Sequence, residues 1–237
     1  MSKRRAGSIL AATGLGYAVG SFPTADLVSR YVSRRNGAAK AVDLREAGTK
    51  NPGALNAAKV LGTKWGLIIL AGDVLKGTVA SAAGRRVAGG DGAYAAGIGA
   101  VLGHCFPVAS RFRGGKGVAT SAGTSIVCFP AYMPFDLALA GASTALSKGQ
   151  AGKATYVASA AFTLVALLWH RRGLRNLWGP PPTKWLPIYA GATSAVIAYK
   201  FLTAPPLPAD AEPASDLMPS VLQMPDGPDE TEGEVAS

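Results

Sequence analysis

Residues 118–147 read VATSAGTSIVCFPAYMPFDLALAGASTALS, thirty positions that hold one charged side chain, Asp136. A water-exposed helix would show polar residues at helical period, and this stretch does not. Crossing the hydrocarbon core of a bilayer takes about 20 apolar residues. Pro130 and Pro134 interrupt the run, so it reads as two short helices, 118–129 and 135–147, meeting at a break inside protein. Outward from it lie further apolar segments at 8–29, 65–83, 93–110, 154–169 and 185–203. Together they predict an all-α, polytopic integral membrane protein of six or seven transmembrane helices. Lys3, Arg4 and Arg5 before the first run imitate a signal peptide. A signal would be followed by a soluble chain, however, and here long apolar segments follow.

Composition agrees. Hydrophobic residues make up 49% and charged residues 16%, against roughly 25% charged in an ordinary soluble domain. That disfavours disorder of the body and a nucleic-acid partner. Thirty glycines beside only 8% aromatics suit close helix packing in lipid. Cys105 and Cys128 sit in apolar stretches and give neither a disulfide framework nor a metal-ligand cluster. Charge is divided unevenly: residues 1–203 carry all 24 Lys and Arg with six acids, and residues 204–237 carry eight acids and no base. The chain therefore divides into a membrane-embedded domain, 1–203, and an acidic tail, 204–237, whose composition predicts disorder. Eight basic residues between 30 and 64, and three between 111 and 117, place both loops on the cytoplasmic side.

Two glycine-rich segments beside fixed cations have the character of anion cradles: Ala47 to Asn56, and Phe112-Arg113-Gly114-Gly115-Lys116-Gly117-Val118-Ala119-Thr120. Glycine lets backbone N–H groups approach phosphate oxygens, and a following helix start adds positive potential. Lys116 is no nucleotide-loop lysine, because Ser110 and Gly117 stand where that motif needs Gly and Ser or Thr. Gly16 with Gly20, and Gly99 with Gly103, lie inside apolar helices and read as small-residue packing pairs. Asp73 and Lys76 share a helix face, where an ion pair and a substrate contact are equally open. His104 has two readings, proton carrier and interhelical hydrogen bonder. His170 ends an apolar helix, where interfacial anchoring is the default.

In order along residues 15–125, Gly20-Ser21-Phe22-Pro23, Gly48 to Asn56, Gly72-Asp73-Val74-Leu75-Lys76-Gly77, and Gly103-His104 through Thr120 resemble the PlsY family. That family comprises bacterial membrane enzymes that move a fatty acyl group from acyl phosphate to glycerol 3-phosphate. The resemblance implies seven helices in the bacterial cell membrane, a site at the cytoplasmic face, and no cofactor or metal. It assigns catalysis to Lys116, Thr49 and His104. It assigns substrate binding to Ser21, Gly48, Asn51, Gly53, Asn56, Lys59, Asp73, Lys76, Arg113, Gly114 and Gly115. The chemistry fits the residues, since an acyl phosphate is already activated and neither a Gly-x-Ser-x-Gly elbow nor a His followed five positions on by Asp is present.

The chain departs from the family pattern at several places. Thr49 stands for Ser, Lys50 for Gly, Leu55 for Thr and Lys59 for Arg. The last span ends Tyr199-Lys200-Phe201-Leu202-Thr203 without the family's His and Asn. Two explanations follow: a rearranged half in which His170 serves the site, or a divergent relative with reduced or altered catalysis. Beside acyl transfer, two other readings stand: a membrane protein that binds phosphorylated lipids through the same loops, and a small transporter.

Overall fold

The computed structural model describes residues 2–135 and 151–204. These form α1 (Lys3–Gly20), α2 (Thr24–Arg35), α3 (Ala54–Leu61), α4 (Thr63–Cys105), α5 (Val118–Cys128), α6 (Ala151–Arg172) and α7 (Trp185–Leu202), with short 3₁₀ turns at Val108–Ser110 and Pro130–Tyr132. Among the described residues there is no strand. Only the first position of the helix expected at 135–147 and the first of the tail expected from 204 fall inside them.

The first apolar run is two helices rather than one span. Pro23 disfavours helical backbone at Phe22, and the chain restarts as α2, whose arginines 30, 34 and 35 make it a polar surface helix. The segments expected at 65–83 and 93–110 lie in one element, α4, broken where Ala88 and Gly89 leave helical backbone and Gly89 takes φ 65°. Its arms, 63–87 and 90–105, fold back on each other through Gly84 and Gly92, each filling the space a side chain would need on the other. The second arm stops at Cys105, short of the expected 110, because Pro107 has no N–H to continue the ladder.

Helix α1 runs parallel to the second arm, with Gly16 against Ala96, Gly20 against Ala100, Gly99 against Thr13 and Gly103 against Tyr17. The two small-residue pairs read from the sequence are thus packed on the same interface, where a β-carbon would strike a backbone carbonyl. Large apolar side chains point outward: Leu67, Leu70, Leu75 and Val79 on the first arm, and Val157, Leu164 and Leu168 on α6. Gly66, Gly77, Ala80 and Gly84 face inward. Small inside and large apolar outside is the arrangement that lipid permits and water penalises. Among the described residues, two helical stretches, Thr63–Ser110 and Gly152–Arg172, are long and apolar enough to cross a membrane. An aromatic cluster of Tyr94, Phe129, Tyr132, Phe162 and Tyr189 ties α4, α5, α6 and α7 together. The Tyr189 hydroxyl within it lies 2.6 Å from Thr124 Oγ1.

This packing creates two ends. One gathers residues 21–26, 44–56, 73–76 and 103–117 with the end of α7. The other gathers the start of α1, the α4 break and the loop 173–184.

Candidate functional site

Asp73 and Lys76 lie on one face of the first arm because they are three residues apart. The second arm brings His104 to the same point. Lys76 Nζ is 2.8 Å from Asp73 Oδ1, His104 Nδ1 is 3.6 Å from that oxygen, and Lys76 also donates to the Phe22 carbonyl at 3.3 Å. All three side chains are buried. The two open readings of Asp73 and Lys76 meet here, since the residues are ion-paired and also line a cleft. Ser21 donates to the Tyr17 carbonyl at 2.8 Å beside them. The glycine turn closes over the imidazole: Gly114 N–H donates to Cys105 O and Gly115 N–H to His104 O, each at 3.2 Å. A β-carbon on Gly115 would collide with His104 Nε2. These N–H groups, expected to cradle phosphate, are therefore spent on anchoring the turn, and the glycines serve close approach.

The resulting narrow cleft is lined among others by Ser21, Asp26, Arg45, Pro52, Asp73, Lys76, His104, Ser110, Gly114 and Gly115. Arg45 was absent from the sequence-derived site and is its main tie. Its guanidinium pairs with both oxygens of Asp26 at 2.6 and 3.1 Å, donates to Arg113 O at 2.6 Å, and reaches Ser110 Oγ at 3.1 Å. Burial works against its charge, but Asp26, followed by Asp43, more than offsets this and raises its pKa. Arg113 itself pairs with the exposed Glu46 at 2.8 Å. Its one local partner, Asp43 at 3.3 Å, signals no site, and the partners that tie Arg45 into the cleft lie 19 and more than 60 residues away.

The first loop borders the cleft through Pro52. Asn56, expected to face substrate, is 1% exposed, and its amide donates to Leu44 O and Ala47 O while its oxygen accepts from Thr49 N–H at 2.7 Å. Its work is bracing the loop. Gly48 has φ 56° and leaves room for that amide, which a β-carbon would strike. Lys50, at a glycine position of the resembled pattern, has φ 55° and an exposed side chain. It does not fill the cleft, but its backbone is the strained kind that glycine relieves. Thr49, Asn51, Gly53 and Lys59 belong to this loop and to α3 and line neither this cleft nor the arginine-lined one beside it.

Lys116 reaches the end of α7, where its ammonium stands 4.3 Å from the centre of the Phe201 ring, and it is not among the residues that line the cleft. Burial, and then Lys200, lower its pKa. His170 lies at the opposite end of the bundle, with Nδ1 2.7 Å from Pro182 O. The rearranged half in which it would serve the site is thereby excluded.

A family model described as glycerol-3-phosphate acyltransferase matches residues 10–204. The chain is similar to the glycerol-3-phosphate acyltransferase of Bacillus subtilis (strain 168), 42% identical over 116 residues, which are 49% of this chain and 56% of that protein. It is also similar to that of Rubrobacter xylanophilus, 44% identical over 117 residues, 49% of this chain and 55% of the relative. These alignments thus span about half the length of the relatives. Crystal structures of PlsY, an integral membrane glycerol 3-phosphate acyltransferase, align over 81% of this chain and 87% of theirs. The glycerol 3-phosphate form has a TM-score of 0.64 and 28% identity, and the lysophosphatidic acid form 0.62 and 25%. With an all-helical fold like that of an integral membrane protein and a family match over most of its length, the chain belongs to the glycerol-3-phosphate acyltransferase family.

Proposed function

We propose that this protein transfers a fatty acyl group from an acyl phosphate to the 1-hydroxyl of glycerol 3-phosphate, giving 1-acyl-glycerol 3-phosphate and inorganic phosphate in phospholipid synthesis. The observation that carries this reading is convergence: Ser21, Pro52, Asp73 with Lys76, and His104 with Gly114 and Gly115, from four separate segments, line one cleft. The acceptor hydroxyl attacks the acyl carbon, the new ester C–O bond forms, and the bond from that carbon to the phosphate oxygen breaks. His104, oriented by Asp73, takes the hydroxyl proton. Lys76 and Arg45 hold anionic oxygens, and Lys116 offsets the charge that develops on the departing phosphate; Thr49, expected among the catalytic residues, lies outside the cleft and takes no part in this step.

In this reading residues 1–203 form the membrane domain of six or seven crossings in a bacterial cell membrane. The cleft faces the cytoplasm, as the basic residues between 30 and 64 and between 111 and 117 favour. The test is phosphate release by the purified full chain in detergent that depends on both palmitoyl phosphate and glycerol 3-phosphate. His104→Gln should lower turnover about 10²- to 10⁴-fold, the range of a lost proton-transfer group, with unchanged thermal unfolding. Absence of release, or full turnover by the variant, rejects the respective claim. The absence of His and Asn at the end of α7 favours a second reading, a catalytically reduced binder of phosphorylated lipids. Lysophosphatidate binding without transfer would select it.

A further inference from the structure

Lys116 and Lys200 come from opposite halves of the chain, and each lies over a ring, Phe201 and Phe106, that packs on the small core of Val101, Cys105 and Ile197. Gly117 lies tight between the second arm and α7: a β-carbon there would stand 2.8 Å from Cys105 Sγ and 3.3 Å from Ile197 Cγ1. The turn is thus pinned so that the preceding Lys116 lands on the end of α7. Its ammonium lies 4.3 Å from the Phe201 ring centre, and that of Lys200, the neighbour of Phe201, lies 5.2 Å from the centre of Phe106. Phe106 in turn packs on Tyr199 at 6.0 Å.

Both lysines are half-buried, and among the described residues neither pairs with a carboxylate. Ring faces attract a cation but leave its charge in place. Two like charges over rings of one small apolar core repel, and the repulsion is relieved when an anion binds beside them. The uncapped start of α5 at Gly117 adds potential of the same sign.

We propose that Lys116 and Lys200 together form a binding site for a phosphomonoester or acyl phosphate dianion, with Phe106 and Phe201 as its apolar walls. Lys200 is the new member of the site. The proposal rests on the acyl-transfer reading for the chemistry of its ligand, and the dianion belongs to either glycerol 3-phosphate or the amphiphilic acyl phosphate.

The experiment uses the full chain in detergent and has two arms. In the first, KM is measured for each substrate in the unmodified protein, Lys200→Met and Lys200→Arg. In the second, an amine-acylating reagent labels the lysines with and without inorganic phosphate, glycerol 3-phosphate or palmitoyl phosphate, and mass spectrometry reads each site. Lys200→Met should raise the KM of one substrate about ten- to a hundredfold, as the loss of one charged hydrogen bond does, with a smaller fall in kcat. Lys200→Arg should restore most of it. The substrate whose KM moves identifies the source of the dianion. Phosphate should protect Lys116 and Lys200 together, and Lys116 should lose that protection in Lys200→Met. KM values within twofold for both substrates, with Lys116 protection unchanged in Lys200→Met, overturn the site. Because labelling needs no turnover, the two readings fail separately: joint protection without acyl transfer defeats the activity and keeps the site, and transfer with unmoved Lys200→Met kinetics and unchanged Lys116 protection does the reverse.

Discussion

Helix α4 carries two buried aspartates, one at each end of the bundle, and their surroundings differ. Asp91, at the break, is 7% exposed; it pairs with Arg5 at 2.5 Å and accepts from Thr183 Oγ1 at 2.7 Å. Those partners hold the start of α1 and the approach to α7 against the break. The Arg5 side chain is 63% exposed, so the pair keeps contact with water and the bond is a clamp. Asp73, 3% exposed, is held by Lys76 and His104, both buried, and all three line a cleft. Charge inside a membrane protein is costly in both places. At one end it fastens helices. At the other it is enclosed in the wall of a cleft, and in the acyl-transfer reading it is kept for chemistry rather than for assembly.

The sharpest way to break this contrast is to remove the inner pair. Asp73→Leu alone should cost about 3–5 kcal/mol, because it strands the buried ammonium of Lys76. The double variant Asp73→Leu with Lys76→Leu should recover most of that loss, since two apolar side chains replace two charges, and yet remain without turnover. Thermal unfolding and the two-substrate phosphate-release assay together decide it. A double variant that is stable and active would make the inner pair a clamp like the outer one.

A smaller effect is expected from pH. Lys116 is half-buried near Lys200, so its pKa lies below the usual lysine range, first through burial and then through that neighbour. A cation with a depressed pKa loses its proton sooner as pH rises, so activity that needs its charge should fall on the alkaline side earlier than an exposed lysine would allow. Lys116→Arg keeps the charge to higher pH and should move that alkaline limb upward in a pH–rate profile. An unmoved limb would show that Lys116 is not the titrating group.

At the outer end, Asp91→Asn should lower stability by about 1 kcal/mol, the scale of a partly exposed ion pair with one retained hydrogen bond. Turnover and KM should stay within twofold. A large loss of activity with intact folding would mean that the clamp reaches the cleft through α1.

What could be read from the sequence was what is local. Gly16 with Gly20 and Gly99 with Gly103 announce helix contacts by their spacing, and the contact joins the two pairs. Pro107 and Pro130 stop helices by their chemistry. The gathering of Ser21, Asp73, Lys76 and His104 followed from motif order, with each residue at a helix end or on one helix face. What escaped was set by distant contacts. Arg45 looked like one basic residue in a basic loop, and only the fold brings Asp26, Ser110 and the Arg113 carbonyl to it. Asn56 had the right chemistry for a ligand and spends it on its own loop. Lys116 was read beside its glycines, while its direction is decided by how Gly117 packs on α7.

The least perturbing test concerns Lys50. Its φ of 55° lies in the left-handed region, which costs a residue with a β-carbon about 1 kcal/mol. Replacement by glycine removes that strain but enlarges the freedom of the unfolded chain by about 0.5–1 kcal/mol. Lys50→Gly should therefore leave stability unchanged or raise it by less than about 1 kcal/mol. Because the Lys50 side chain is exposed and lines neither cleft at the inner end, the KM for glycerol 3-phosphate should not move. A tenfold fall in that KM would mean that the lysine does crowd the phosphate, and the contrast between an enclosed inner site and its exposed loop would have to be redrawn with Lys50 inside it.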